Sequence, residues 1–154
     1  MGNKKALVPR LRFPEFRDAG EWAFNKLGDK NVSYFVKEKI PRSSLTIETY
    51  VSTENILSDF GGIMNASKLP SSGSFTAYRK GDILIANIRP YLKKISVAKK
   101  NGGASNDVVV VRPKAKVETL FLSSLLKNDV FINYVMSGAK GVKMPRGDIS
   151  LMKE

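Results

Sequence analysis

Residues 81–111 read GDILIANIRPYLKKISVAKKNGGASNDVVVV, and three apolar runs inside this stretch decide the class of fold. Ile83-Leu-Ile-Ala86, Ile95-Ser-Val-Ala98 and Val108-Val-Val-Val111 follow one another at spacings of twelve and thirteen residues. Each run is too short for a helix, is rich in β-branched residues and does not alternate with polar ones, which is the pattern of strands covered on both faces. The links between them, Arg-Pro-Tyr-Leu-Lys-Lys and Lys-Lys-Asn-Gly-Gly, are basic and turn-forming. The stretch predicts consecutive strands joined by cationic turns, the first of which leaves the interior through Arg89, Tyr91, Lys93 and Lys94.

Toward the N-terminus, Asn31–Ile40 reads as a strand closed by Pro41, and Tyr50-Val51 as the start of a second short one. Ser52 or Thr53 would cap one helical turn over Glu54–Leu57, ended by Gly61-Gly62. Residues 65–74 form a polar loop without apolar period. Pro9 and Pro14 make residues 1–16 an extended arm rather than a helix, with Trp22, Phe24 and Leu27 pinning its end to the core and Trp22 itself a core residue. Past Pro113 the period changes: Leu120, Phe121, Leu125 and Leu126, then Phe131, Tyr134 and Val135, mark two amphipathic helices. Asn128-Asp129 divides them with Asp129 as the cap, and Gly138 stops the second. Residues 139–154 are expected to be a basic loop and a tail. The sum is an α+β, mixed α/β chain: a twisted, largely antiparallel sheet with peripheral helices in a single globular domain over residues 1–154.

Composition narrows the chemistry. The 154 residues include no cysteine and no histidine, which removes disulfides, thiol nucleophiles, Ser-His catalysis and nearly every transition-metal site. No metal, cofactor or catalytic residue is therefore expected. The glycine-rich cradles of nucleotide-binding loops are missing as well. No acidic residue is followed two positions later by lysine, against the commonest arrangement of a restriction-nuclease site. Asn87-Ile-Arg-Pro-Tyr91 only superficially matches the Asn-Pro-Pro-Tyr of amino-methyltransferases. Met1-Gly2 has alanine where a myristoylation signal needs serine or threonine. With no apolar run of membrane-spanning length and no apolar signal core, the expected location is the cytoplasm, without a membrane partner.

What remains is charge. Lysine and arginine outnumber aspartate and glutamate 26 to 14, a net charge of +12 that calls for a polyanionic partner. Half of the excess, +6, lies in residues 81–116. The residues alone leave three readings open: a sequence-specific DNA-binding module, a non-specific nucleic-acid-binding or protein-interaction domain, and a magnesium-dependent nuclease built from some of Asp82, Asp107, Glu118 and Asp129.

Several stretches together resemble a known family. Pro9-Arg-Leu-Arg-Phe-Pro-Glu-Phe16, Glu21-Trp22, Lys26-Leu-Gly-Asp29, Tyr50-Val-Ser-Thr-Glu-Asn-Ile56, Gly81–Tyr91, Gly103-Ala-Ser-Asn-Asp-Val108 and the glycine-rich basic loop at 138–147 are similar, in order and spacing, to the specificity (S) subunit of Type I restriction-modification enzymes. The resemblance implies a target recognition domain: a non-catalytic module that binds double-stranded DNA and reads one half of a bipartite site. Methyltransferase (M) subunits, and in the full complex a restriction (R) subunit, then act at that site. The family's second recognition domain and long helices are not found in this sequence, which is expected to be a truncated chain or a half-subunit.

In any DNA-binding reading, lysines neutralise phosphates and fix register, while arginine and asparagine meet base edges. Lys93, Lys94, Lys99, Lys100, Lys140 and Lys143 are the phosphate candidates. Arg79, Arg89, Asn101 and Arg146, with Tyr78 and Tyr91, are the base-edge candidates, because each lies in or beside a predicted loop. The bland alternatives are specific too. Asn106-Asp107 and Asn87 would cap strand ends, Tyr91 would pack on the core, and Arg89 would pair with Glu54 or Asp82.

Overall fold

The computed structural model describes residues 7–154, in which eight strands form two four-stranded sheets beside three α-helices. The first sheet has β1 (Ser33–Phe35), β8 (Val108–Pro113), β5 (Ile83–Ala86) and β6 (Ile95–Val97) in that spatial order, all antiparallel. The second has β2 (Lys39–Pro41), β4 (Ser74–Tyr78), β7 (Gly102–Ala104) and β3 (Tyr50–Val51), with only β3 and β7 parallel. The helices are α1 (Thr119–Leu126), α2 (Asp129–Ser137) and α3 (Ile149–Met152).

The unbroken apolar runs have the predicted cause. Side chains alternate across a strand, so Leu84, Ala86, Val108 and Val110 point into one core and Ile83, Ile85, Val109 and Val111 into another. The first core is completed by Val51, Tyr78 and Ala104 from the second sheet, and the other by Leu122, Leu126, Ile132, Val135 and Met152 from the helices. The first sheet is thus the middle of three layers. Every residue of β5 is buried, and each fully buried Ile or Leu in it contributes about 1.5–3 kcal/mol.

The antiparallel, α+β character expected from the sequence is present, divided between two sheets. Several local expectations are corrected. Residues 31–40 are not one strand: β1 pairs with β8, and after Lys37 and Glu38 the chain enters β2 in the other sheet, where Pro41 ends an edge strand. Residues 54–57 are not helical, because Asn55 Oδ1 accepts from both the N–H and the hydroxyl of Ser52 at 2.8 Å, and Ile56 bridges Ile63. Gly102-Gly103 is strand rather than turn. A Cβ at Gly102 would collide with the Thr49 carbonyl and the Tyr78 hydroxyl, so the glycine is there to let strands approach. The strand β4 carries no alternation that marks it in the sequence: Phe75, Thr76 and Tyr78 are all buried.

Two helices form where the period changes, but their buried stripe is Leu122, Leu126, Ile132 and Val135, while Leu120, Phe121, Leu125 and Tyr134 of the expected stripe are exposed, and one cap differs. Asn128, not Asp129, caps α2, its Oδ1 accepting from Phe131 N–H at 3.0 Å, and Gly138 ends the helix. Trp22 is not a core residue. It is 52% exposed and stacks on Phe121 of α1, with ring centroids 5.5 Å apart. Phe24 is also exposed. Of the proposed arm, residues 1–6 lie outside the described residues, Pro14–Phe16 form a 3-10 turn, and Trp22 N–H donates back to the Leu7 carbonyl at 3.0 Å. The expected tail packs as structure: Asp148 caps α3, Met152 is 1% exposed, and the Lys153 carbonyl accepts from Gly28 N–H at 2.8 Å. Among the described residues no helix is long and apolar enough to cross a membrane.

Candidate nucleic-acid interface

The strand β5 divides the cationic candidates into two groups. Asp82 and Asn87 flank its ends, about 16 Å apart at the usual rise of an extended chain. At the Asp82 end, Gly81 N–H donates to the Ala98 carbonyl, Lys80 N–H donates to Asn101 Oδ1, and Tyr78 pairs with Gly102. That end therefore holds Arg79, Lys99, Lys100 and Asn101. At the Asn87 end, Asn87 N–H donates to the Asp107 carbonyl, Gly147 N–H to the Asn87 carbonyl and Arg89 N–H to the Pro145 carbonyl. Three segments meet there, residues 87–94, 105–107 and 139–148, bringing together Arg89, Tyr91, Lys93, Lys94, Lys140, Lys143 and Arg146. The charge concentrated in residues 81–116 is thus split between two surfaces.

The backbone at the second surface is held in uncommon conformations. Arg89 and Lys93 flank a 3-10 turn over Pro90–Leu92, and both are left-handed, at φ 52° and 55°. For a residue with a Cβ this region costs about 1–2 kcal/mol. The turn is anchored by the hydrogen bond from Arg89 to Pro145 and by Asp59 and Phe60 N–H groups donating to the Leu92 and Lys93 carbonyls. Arg89 is thereby projected outward, with no side-chain partner among the described residues, and Tyr91 beside it is 48% exposed. The predicted pairing of Arg89 with Asp82 does not form, because Asp82 lies at the far end of β5 and binds Arg112 instead.

Carboxylates from separate elements hold several of the cations. Arg146 Nη2 lies 2.8 Å from Asp107 Oδ1, and Lys93 Nζ lies 2.8 Å from Asp129 Oδ1. The Asp129 hydrogen bond and charge hold the Lys93 ammonium above its ordinary value. Lys140 lies 4.0 Å from Asp148 and stays largely exposed. Lys94 turns inward, donating to the Thr53 carbonyl at 2.8 Å, which leaves Arg89, Lys140 and Lys143 as the accessible cations with Arg146 as a held one. Residue 146 is fixed on both sides: its N–H and carbonyl both bond to Lys140, and it bridges Ile88. The loop so closed exposes Val142, Lys143 and Met144 at its tip.

Tyr78 is removed from the base-edge candidates. It is 3% exposed, its hydroxyl donates to the Thr49 carbonyl at 2.8 Å, and burial pushes the phenol up to about 12. Asn101 is exposed, but its side chain serves the Lys80 N–H. Lys100 lies 3.5 Å from Glu48, while Arg79 and Lys99 are exposed.

Three residues of the Asn87 surface had other readings in the sequence. Asn106 does not cap a strand: it accepts from Lys39 Nζ at 2.7 Å, and Lys39 also donates to Thr76 at 3.0 Å. Asp107 pairs with Arg146 rather than with local backbone. Asn87 is 5% exposed, and its Oδ1, against Gly147, has no hydrogen-bond partner among the described residues. Only tertiary pairing reveals these roles, since the partners are dozens of residues apart. The four carboxylates of the nuclease reading are dispersed: Asp82 on Arg112, Asp107 on Arg146, Asp129 on Lys93, and Glu118 accepting from Leu120 N–H at the start of α1.

No sequence-family profile and no curated protein matches the chain. Solved structures do. A chain from work on complex assembly and conformational transition of the type I R-M system superposes with a TM-score of 0.66 at 24% identity, covering 84% of this chain and 35% of that one. The HsdS subunit from Thermoanaerobacter tengcongensis gives 0.57 at 23% identity, covering 77% of this chain and 34% of its own length. The chain spans about a third of either structure, and over that third it has the fold of the HsdS subunit.

Proposed function

We propose that this chain is a target recognition domain of a Type I restriction-modification specificity subunit, a non-catalytic module that reads one half of a bipartite double-stranded DNA site in the cytoplasm. On this reading, methyltransferase subunits, joined in the full complex by a restriction subunit, act where the module has bound. The observation that carries it is the meeting of two cationic segments, residues 87–94 and 139–148, at the Asn87 end of β5, in a fold shared with the HsdS subunit. Arg89, Arg146 and Tyr91 would then meet base edges and the accessible Lys140 and Lys143 would meet phosphates, while Lys93 would reach a phosphate only by leaving Asp129. Arg79, Asn101, Lys99 and Lys100 face a different end and would not share one duplex face with them. No step of this function needs a cofactor, and the carboxylates a nuclease would gather are engaged with separate partners.

Salt dependence tests the reading. Binding to a duplex should weaken linearly on a log–log plot, with a slope of about −0.9 for each phosphate neutralised. Replacing Lys140 and Lys143 together with alanine should make that slope shallower by about 1.8. Replacing Lys114 and Lys116, which lie beyond the opposite end of β5, should leave it unchanged. A salt-independent affinity, or equal effects of the two double substitutions, would refute the assignment.

A further inference from the structure

The Asp107–Arg146 pair is built differently from the other ion pairs of the surface. Lys140 and Asp148 are 4.0 Å apart and the ammonium is free to move. Lys93 pairs with an Asp129 side chain that is 70% exposed. Arg146, by contrast, sits between Pro145 and Gly147, both buried, with its own N–H and carbonyl bonded to Lys140. Asp107 is held equally firmly, because its carbonyl accepts from Asn87 N–H at 2.8 Å and it leads directly into the buried strand β8. The backbone of both members is tethered, so the 2.8 Å contact between Asp107 Oδ1 and Arg146 Nη2 restrains where the guanidinium sits.

That contact occupies one corner of a five-donor fork. The other N–H groups of Arg146 have no partner among the described residues, and the side chain is 58% exposed. An arginine restrained by a carboxylate at one amino group, half-exposed and with those other donors unpaired, can offer a planar pair of donors to the two acceptors O6 and N7 that guanine presents in the major groove. A loose arginine would serve phosphates equally well, whereas the carboxylate at its back repels phosphate. The structure also gives the pair no stabilising task that would explain it otherwise, since both side chains are too exposed for their ion pair to contribute much.

We propose that Arg146 reads a guanine and that Asp107 is its positioning residue, setting the guanidinium in the bidentate orientation and discouraging phosphate contact. This rests on the DNA-recognition reading above and assigns one base of the half-site to one pair of side chains.

The test is enrichment of bound duplexes from a random pool with the full chain, followed by titration of the enriched duplex and its single-position variants. The wild-type chain should enrich a site containing one guanine whose replacement weakens binding about tenfold. Arg146→Lys should abolish that preference while keeping the salt slope, because the charge remains and the fork does not. Asp107→Asn should flatten the preference at the same position and raise the affinity for unrelated duplexes. The double variant should discriminate no less than Arg146→Lys alone. Asp107→Asn with its guanine preference intact, or Arg146→Lys changing a different position, overturns the proposal while leaving DNA recognition standing. A wild-type chain that enriches nothing overturns the recognition reading and this assignment with it. The Asp107 carbonyl keeps its bond to Asn87 in the asparagine variant, so folding is not at issue, and circular dichroism checks it.

Discussion

Asp82 and Arg112 face each other across adjacent strands in a bidentate pair, Nε donating to Oδ1 and Nη2 to Oδ2, both at 2.8 Å. The register of β5 on β8 produces it: Ile83 lies opposite Val111, which places Asp82 beside Arg112. Asp82 Oδ2 also accepts from Arg79 N–H at 2.8 Å, closing the turn between β4 and β5. The carboxylate is 2% exposed, and the guanidinium 23%.

Removing the arginine strands a buried carboxylate. Arg112→Ala should destabilise the chain by about 3 kcal/mol, the low end for breaking a buried pair because the arginine keeps some water. The midpoint of urea unfolding measures it. Asp82→Asn should likewise cost stability, and DNA binding by the folded fraction should be unaltered, since the pair stands at the end of β5 away from Arg89 and Arg146.

Tyr78 gives a pH-dependent counterpart. Its phenol is raised from 10.0 to about 12 by burial, so the folded chain keeps the proton where the unfolded chain has lost it. The stability linked to it is complete below about pH 10 and is lost as pH rises toward 12. Tyr78→Phe should remove that component, so the difference in unfolding free energy between the two proteins narrows over that window. At neutral pH the phenylalanine variant should lose about 1 kcal/mol, the hydrogen bond to the Thr49 carbonyl. Unchanged base preference in the variant would agree with its burial.

Trp22 and Phe121 couple the N-terminal segment to α1 through one stacked pair, interplanar angle 10°. Such a pair contributes about 0.5–1.5 kcal/mol beyond its burial. Trp22→Ala should therefore leave the melting of the sheets nearly unchanged while making residues near Trp22 more open to limited proteolysis. Phe121→Ala should reproduce the proteolysis and red-shift the Trp22 emission.

The parts of the molecule legible in the sequence are those set by local pattern. The runs at 83–86 and 108–111 are apolar throughout because both faces are covered, and the change to helical period past Pro113 is legible too. The buried stripe is not: of the residues read for it only Leu126 and Val135 are buried, while Leu122 and Ile132 take the places given to Leu120, Phe121, Leu125 and Tyr134. The illegible parts depend on distant partners. Gly102-Gly103 has turn composition, yet it is strand because Thr49 and Tyr78 press against it. Tyr78 lies next to Arg79 and Lys80 in sequence, but in β4 it packs into the core with Val51 and Ala104. Arg89 and Arg146 were both readable as cationic loop residues. That they share a surface follows from the hydrogen bonds tying Pro145 and Gly147 to Arg89 and Asn87, and that Arg79 and Lys99 do not follows from the length of β5.

Arg89 separates strain from contact. Its left-handed conformation, φ 52° immediately before Pro90, costs about 1–2 kcal/mol that glycine would avoid. Glycine in turn adds about 0.5–1 kcal/mol of unfolded-chain entropy. Because the Arg89 side chain has no partner among the described residues, Arg89→Gly removes no folded contact, and unfolding should show stability unchanged or raised by up to about 1.5 kcal/mol. A purely structural arginine would have no other effect. In the DNA-recognition reading the same substitution should weaken duplex binding about tenfold, as loss of a base or phosphate contact does. Lys93→Gly provides the comparison: it relieves the same kind of strain but also breaks the Asp129 pair at the start of α2. Stability retained together with lost affinity for Arg89→Gly would mean that this turn keeps its strain to present the arginine to DNA.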